Sequence, residues 1–188
     1  VLSIKSSSRK TKPRAPFTTS SLQQDSSSRL RLSPSRTMAL AQQLFQGINL
    51  GNGEEGLITY MRTDSTALSN ESLSEIKNYV NKSYGDNYYE SRKYKTKSAN
   101  AQEAHEAIRP TSINRTPDSI KSFLDDDQFK LYDLIWKRTV ASQMSESVNK
   151  KTTIITSSEN EKYKFKSDYD ELTFDGFKKL FPEKESDK

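Results

Sequence analysis

Helix-like patterning fills the middle of this 188-residue sequence, while β-prone runs lie at its two ends. In the middle, apolar residues recur at spacings of three and four, which is typical of helices that bury one face. Near the carboxyl end, Thr152–Thr156 is rich in β-branched residues, and Tyr163–Lys166 alternates apolar and charged side chains. This order predicts an α+β fold, in which a mostly helical domain is inserted into a β domain that is cut at both ends of the chain.

Capping residues place the individual helices. Ser33 followed by Pro34 predicts a helix start, because Ser can cap free amides and Pro fits the first turn. Glycines that follow apolar stripes predict helix ends. We expect helix starts at Ser69 or Asn70, Thr116 and Asp125–Asp127, helix ends at Gly47 and Gly85, and a longest helix over about Asp126–Met144. The stripe of the helix after Pro34 is Met38, Ala41, Leu44, Phe45 and Ile48.

Several segments have weaker patterns. Val1–Ile4 is compatible with the end of a strand, and the Ser-, Lys- and Pro-rich stretch Lys5–Pro16 is interpreted as a connector. Leu57–Met61 is a short β-prone run. Ala101–Ile108 favours a helix that Pro110 stops.

The charge of the chain is uneven. Residues 1–36 hold eight basic side chains and one acidic one, whereas the remaining residues are almost balanced. A basic block suits contact with a polyanion such as a nucleic acid, and two short helices around a basic turn resemble a helix-turn-helix. A solvated basic arm explains the charge equally well, and an ordinary helical hairpin is the preferred interpretation of the two helices on these signals alone.

Composition excludes several classes of site. The chain has no cysteine and one histidine, so it cannot form a disulfide, a thiolate nucleophile or a multi-histidine metal site. It contains no nucleotide-phosphate loop motif, and no apolar run approaches the length of a membrane span. Only 31% of its residues are hydrophobic and its first residue is Val. We therefore expect a modest core and a piece cut from a longer protein.

Tyr60 and Arg62 are the strongest candidates for chemistry. In an extended backbone, residues two apart share a face, so the phenol and the guanidinium can point to one place. A free tyrosine has a pKa of about 10, and a neighbouring cation favours the nucleophilic phenolate. Arg also binds phosphate oxygens through its planar fork. A packed Tyr beside a surface Arg remains the better interpretation from these physical arguments alone.

His105 is the only histidine, and a protonated imidazole can hold a phosphate. A surface His on an alanine-rich helix is the simpler interpretation. The tyrosines of Tyr84–Lys97 could stack on bases, although a plain surface loop is favoured.

The motifs together resemble those of type IA DNA topoisomerases. Ile58–Ser65 (ITYMRTDS) is similar to the active-site signature of that family, and the match extends in the family's order from about residue 15 to about residue 178. Met61 favours the bacterial topoisomerase I branch over topoisomerase III, and reverse gyrase stays an alternative. The other matching segments are Ala15–Gln24 (APFTTSSLQQ), Ala101–Thr111 (AQEAHEAIRPT), Leu134–Trp136 (LIW) and Phe174–Phe177 (FDGF).

The resemblance implies roles for individual residues. Tyr60 matches the nucleophile that forms a 5′-phosphotyrosyl link with single-stranded DNA and frees a 3′-hydroxyl, without ATP. Arg62 matches the residue that positions the scissile phosphate, and Thr59 and His105 match residues near the bound strand. Asp64 is expected to orient Arg62.

The resemblance also implies an organisation. Residues 1–15 match the end of the family's β-rich arch with a connector, 16–145 the helical tyrosine-bearing domain with a winged-helix-like core, and 146–188 the return strands of the arch. Mg²⁺ is the expected cofactor of the whole enzyme, with ligands in a Toprim domain outside this chain. The chain alone should bind no metal and be inactive. The expected partner is single-stranded or negatively supercoiled DNA, acted on by a monomer in the bacterial cytoplasm, at the nucleoid and not at a membrane. The alternatives are a non-catalytic DNA-binding module and a structural insertion domain with no role in nucleic-acid binding.

Overall fold

The computed structural model describes residues 1–94, 105–158 and 162–182, and these residues form an α+β fold. The helices are α1 (Thr19–Asp25), α2 (Pro34–Gln46), α3 (Asn70–Tyr84), α4 (Pro117–Ile120) and α5 (Asp126–Ala141). The strands are β1 (Ser3–Thr11), β2 (Ile48–Asn49), β3 (Glu54–Glu55), β4 (Ser147–Ser157) and β5 (Lys164–Phe174). A π-helical turn spans Ser26–Leu30, and 3₁₀ turns span Asp86–Tyr88, Lys121–Phe123 and Gly176–Lys179.

The predicted caps set the helix ends. Ser33 and Ser69 accept hydrogen bonds from the amides three residues later, at the starts of α2 and α3. Asp125 and Gln128 form a reciprocal capping box at the start of α5, which confirms the expected start of the longest helix. These bonds satisfy amides that a helix start otherwise leaves unpaired.

The core lies between α2, α3 and α5. Helix α5 buries nine residues between Leu131 and Ala141, and these include the polar side chains of Arg138 and Thr139. On α2, Leu40 is fully buried whereas Phe45 is 37% exposed, so the inward position predicted for Phe45 was wrong. The largest fully buried side chains are Phe17, Leu22, Leu40, Leu44, Leu57, Ile58, Met61, Ile76, Ile108, Ile113, Leu131 and Tyr132.

The two ends of the chain meet in one antiparallel sheet with the order β1-β4-β5. Strand β1 pairs with β4 from Ser3 opposite Ile155 to Thr11 opposite Ser147. The prediction that Lys5–Pro16 is a connector was therefore wrong over its first half. The ladder partner of β1 lies more than 130 residues away, and the pairing overrides the weak β-propensity of its Ser- and Lys-rich sequence.

Two further local predictions were wrong. Leu57–Met61 forms no strand but only an isolated bridge between Ile58 and Pro110. Residues 105–108 are not helical, and residues 101–104 of the same prediction lie outside the described residues. The backbone amides of these segments bond to carbonyls far along the chain: Leu57 to Leu44 of α2, Thr59 to Arg109, and Ile108 to Phe17. Local patterning cannot reveal such partners.

Candidate active site around Tyr60

Tyr60 presents its phenol at the surface of the helical unit. Its side chain is 46% exposed, while its neighbours Ile58 and Met61 are buried. The ring of Phe45, from the last turn of α2, packs edge-on against the Tyr60 ring with centroids 5.4 Å apart. The exposed face of α2 therefore orients the aromatic ring, which explains why Phe45 is not part of the core.

Thr59 fixes the backbone on the amino-terminal side of Tyr60. Its amide donates to the carbonyl of Arg109 at 2.9 Å, and its hydroxyl donates to the carbonyl of Ala107 at 2.7 Å. The same hydroxyl accepts a hydrogen bond from the amide of Arg109 at 3.0 Å. The Thr59 side chain thus joins two segments of the site.

Thr19, the first residue of α1, fixes the other side. Its hydroxyl donates to the carbonyl of Met61 at 2.7 Å and accepts from the amide of Thr63 at 2.9 Å. The Thr19 amide donates to the carbonyl of Thr63 at 2.9 Å. Tyr60 is consequently held between two hydroxyl-centred clamps, on a segment that is neither helix nor strand.

His105 lies beside Tyr60. Both residues line a pocket of about 220 Å³ together with Thr59, Thr63 and Glu106. The structure therefore brings together three of the four predicted site residues, Thr59, Tyr60 and His105, in one depression.

Glu106 ties this pocket to the start of α3. Its carboxylate accepts hydrogen bonds from the Ser69 amide at 2.7 Å and from the Arg109 guanidinium at 2.7 Å. Partial burial opposes ionisation of Glu106, but the hydrogen bonds and charge of Arg109 and the bonds from Ser69 outweigh it, so the pKa of Glu106 is lowered. The carboxylate is thus an ionised brace between the pocket wall and α3.

Arg62 is exposed and does not line this pocket. Within the described residues its guanidinium has neither an ion pair nor a hydrogen bond, and no such contact joins it to Asp64. The expectation that Asp64 orients Arg62 therefore has no support in this geometry. An unpaired surface guanidinium next to Tyr60 is available to an incoming anion.

Much of the basic amino-terminal block faces carboxylates of the chain itself. Arg36 forms an ion pair with Asp127 at 2.9 Å, and Arg14 and Arg29 lie 3.7 and 3.5 Å from Asp25. Lys12 lies 4.0 Å from Glu146. The block is therefore not one free basic face, and the charge count overestimated what it offers a polyanion.

The tyrosines of the loop after α3 have structural roles. Tyr88 donates to Asp175 at 2.7 Å and packs against Phe174, and Tyr94 donates to the carbonyl of Ser142 at 2.8 Å. Burial raises the pKa of Tyr94 to about 12, despite the opposing charges of Arg92 and Arg138. These two phenols bind the loop to α5 and β5 rather than offering stacking surfaces; Lys95–Lys97 lie outside the described residues.

The described residues contain no group of three His, Cys, Asp or Glu side chains that could hold a metal ion. Near Tyr60, the Glu106 carboxylate is already occupied by Ser69 and Arg109. The donor set of this pocket therefore does not fit a divalent cation, and no step of the chemistry is assigned to one here.

Comparison with known proteins decides the family. The family profile for DNA topoisomerase matches residues 1–188. The chain belongs to the DNA topoisomerase family. DNA topoisomerase 1 of Rickettsia conorii is 49% identical over 177 residues, which cover 93% of this chain and 23% of that protein. DNA topoisomerase 1 of Helicobacter pylori is 42% identical over 190 residues, covering all of this chain and 26% of that protein.

The fold agrees with a solved topoisomerase. The full-length topoisomerase I from Thermotoga maritima superposes with a TM-score of 0.84 at 40% identity, over 97% of this chain and 29% of that chain. The predicted α+β class and the resemblance to bacterial type IA topoisomerase I are thereby confirmed. This topoisomerase chain spans about a quarter of the length of the curated relatives. Within its described residues, no helix is both long enough and apolar enough to cross a membrane.

Sequence reasoning missed the residues that support Tyr60. Phe45 was assigned to the core, and Thr19 and Glu106 were given no role at the site. Glu106 stands beside His105 in a motif that was recognised, so its position was a usable signal. Nothing in the local sequence links Thr19 to Thr63.

Proposed function

We propose that this chain supplies the nucleophile of a type IA DNA topoisomerase, which relaxes negatively supercoiled DNA by transient cleavage of one strand. The observation that carries the proposal is the half-exposed Tyr60 phenol, held in a pocket with His105 and followed by an unpaired Arg62. The family membership of the chain supports the same reaction.

In this reaction the Tyr60 oxygen attacks a backbone phosphorus of single-stranded DNA. A bond forms between the phenolic oxygen and phosphorus while the bond from phosphorus to the 3′ oxygen breaks, and the leaving oxygen becomes a 3′-hydroxyl. The 5′-phosphotyrosine conserves the energy of the original ester, so the 3′-hydroxyl can reverse the step after strand passage without ATP.

The other site residues act on the phosphate and the strand. Arg62 binds the scissile phosphate and stabilises the charge that develops on it, as a planar guanidinium suits. His105, which lines the same pocket as Tyr60, contacts the strand. Thr59 contributes through its clamp on residues 107–109, because its hydroxyl proton is already donated to Ala107; a direct strand contact by Thr59 remains a prediction.

The proposal assigns residues 1–15 and 146–188 to the arch and 16–145 to the tyrosine-bearing domain with a winged-helix-like core. It places the Mg²⁺ ligands outside this chain, so the 188 residues alone should not relax DNA. The complete enzyme acts as a monomer on single-stranded or negatively supercoiled DNA in the bacterial cytoplasm, at the nucleoid.

A chimera tests the proposal. The matching quarter of the Rickettsia conorii relative is replaced by this chain, and covalent adducts with a labelled single-stranded oligonucleotide are measured with Mg²⁺ present. We expect Tyr60→Phe to abolish the adduct and to leave oligonucleotide binding nearly unchanged. Tyr163→Phe, which removes another exposed phenol, is the matched control and should cleave normally.

The same chimera distinguishes the alternative. A non-catalytic DNA-binding module predicts that the parent chimera binds the oligonucleotide but forms no adduct. Cleavage that survives Tyr60→Phe contradicts the assignment of the nucleophile.

A further inference from the structure

A second pocket, of about 420 Å³, lies where the sheet joins the helical unit. We call it the junction pocket. Its walls include Lys12 and Arg14 from the segment after β1, Asp25 and Arg29 from α1 and the π-helical turn, Arg138 from α5, and Phe181 after β5. It shares no lining residue with the pocket of Tyr60.

Positive charge exceeds negative charge in the junction pocket. Three guanidiniums surround the single carboxylate of Asp25: Arg138 forms an ion pair with it, Arg29 lies 3.5 Å away and Arg14 lies 3.7 Å away. Among the described lining residues, Asp25 carries the only carboxylate, and three guanidiniums share it; Lys12, which lies 4.0 Å from Glu146, adds a further cation at the rim. An anion entering here meets an excess of positive charge in a partly enclosed space, where attraction is stronger than in open water.

Arg138 is the buried member of this cluster, with 3% of its surface exposed. Its guanidinium is stacked over the rings of Phe17 and Phe181, at 4.5 and 5.0 Å from their centroids. Its buried Nε has no hydrogen-bond partner in the described part of the chain. A donor without a partner at such a site is costly, and an added acceptor would remove the cost.

The pKa of Arg138 is consistent with the excess of positive charge in the junction pocket. Burial lowers the pKa of its guanidinium, and the neighbouring charges of Arg14 and Arg29 lower it further against the opposing effect of Asp25.

We propose that the junction pocket binds a phosphate group through Arg14, Arg29 and Arg138, with Lys12 at its rim. A phosphate offers several anionic oxygens, and it can therefore bridge guanidiniums that a single carboxylate leaves undersatisfied. The pocket volume also accommodates the sugar of a nucleotide or of a DNA strand. This site goes beyond the chemistry proposed for Tyr60, and neither proposal depends on the other.

Occupation of the pocket would strengthen the junction. Arg29 already donates to the carbonyl of Pro182 at 3.3 Å and lies over the ring of Phe181 at 4.4 Å, so it links the helical unit to the segment after β5. Lys12 and Arg14 follow β1 directly. A phosphate held by these side chains connects both crossings between the sheet and the helical unit.

Titration of the 188-residue chain with inorganic phosphate, followed through the arginine Nε–Hε signals in NMR spectra, tests the proposal. Chloride at matched ionic strength is the reference. We expect saturable shifts of the Arg29 and Arg138 signals and a rise in melting temperature with phosphate, as ligand linkage requires. Shifts that grow linearly without saturation, or that chloride reproduces, overturn the proposal.

Substitutions at the rim of the junction pocket test whether the phosphate binds there. The Lys12 and Arg14 side chains are 79% and 77% exposed, so the double variant Lys12→Gln with Arg14→Gln should keep the fold. We expect it to weaken phosphate binding about tenfold. The matched control, Arg9→Gln with Lys10→Gln, removes the same charge from β1 outside the pocket and should bind as the parent does. Equal weakening in both variants overturns the proposal.

The source of the phosphate is resolved by two further ligands. If a short oligothymidylate shifts the same two arginine signals at lower concentration than phosphate does, the pocket takes the backbone of single-stranded DNA. If inorganic phosphate and thymidine 5′-monophosphate bind and the oligonucleotide leaves these signals unchanged, the pocket takes a free phosphate ligand. Both outcomes support the phosphate site. Tyr60→Phe should leave phosphate binding and oligonucleotide binding at the junction pocket unchanged. A negative result in these titrations is therefore distinguishable from a failure of the cleavage reaction proposed for Tyr60.

Discussion

The hydroxyl of Thr59 donates a hydrogen bond to the carbonyl of Ala107, 48 residues along the chain, at 2.7 Å. This bond joins the segment that carries Tyr60 to the segment that carries His105. The amide of Arg109 completes the clamp by donating to the same hydroxyl. The Thr59 side chain therefore adds to the backbone hydrogen bond from the Thr59 amide to the Arg109 carbonyl in fixing the relative position of Tyr60 and His105.

Replacing Thr59 with Val tests the clamp. The new side chain has nearly the same shape but leaves the Ala107 carbonyl and the Arg109 amide without their side-chain partner. We expect a loss of about 1–3 kcal/mol in the free energy of unfolding, measured by urea denaturation. Thr59→Ser keeps the hydroxyl and should retain most of the stability. Equal stabilities for the parent chain and Thr59→Val would contradict the clamp.

Arg62 should matter for chemistry and not for folding. Since its guanidinium has no ion pair or hydrogen bond within the described residues, Arg62→Ala should change the free energy of unfolding by less than about 0.5 kcal/mol. In the chimera, the same substitution should slow strand cleavage by about 10²–10³-fold, as loss of one charge-stabilising donor does. Arg9→Ala, another exposed arginine, should leave the cleavage rate unchanged. Normal cleavage by Arg62→Ala would remove Arg62 from the site.

Glu106 should make stability depend on acid pH. Its pKa is lowered from 4.5 in the folded chain, so its ionised form stabilises the fold above about pH 4.5, and this contribution is lost as the pH falls through the folded-state value. Glu106→Gln should lower the melting temperature at pH 7 and flatten its decline on acidification. Glu71→Gln, in the first turn of α3, is the control with an exposed carboxylate. If the melting temperature of Glu106→Gln fell on acidification as steeply as that of the parent chain, the contacts of Glu106 would not depend on its charge.

Two ion pairs of similar chemistry should contribute differently to the free energy of unfolding, because one is buried and the other is half-exposed. Asp25→Asn leaves the buried Arg138 guanidinium without its counter-charge and should cost about 3–5 kcal/mol in the free energy of unfolding. Asp127→Asn breaks the half-exposed pair with Arg36 and should cost at most about 1 kcal/mol. Thermal and urea unfolding of both variants measure the difference. Similar costs would mean that Arg138 is hydrated in solution.

Local sequence signals predicted the starts of three helices correctly. Ser33, Ser69 and Asp125 act as caps through side-chain bonds to amides three residues away, so the signal and the structure lie within one turn. The strand β1 could not be predicted in this way. Its Ser- and Lys-rich sequence gains its strand conformation from hydrogen bonds to β4, across most of the length of the chain.

For the site as well, some features followed from the sequence and others only from the tertiary structure. By itself the sequence determined the starts of three helices and the likeness to a topoisomerase, and it singled out Tyr60, Arg62 and His105 as candidates, because residue identity and local spacing are properties of the chain. Only the tertiary structure decided that Thr59 and Thr19 clamp the segment of Tyr60, and that Arg138 and Asp25 are buried together. These features depend on distances between residues far apart in sequence. Burial and hydrogen-bond partners exist only once the chain has packed.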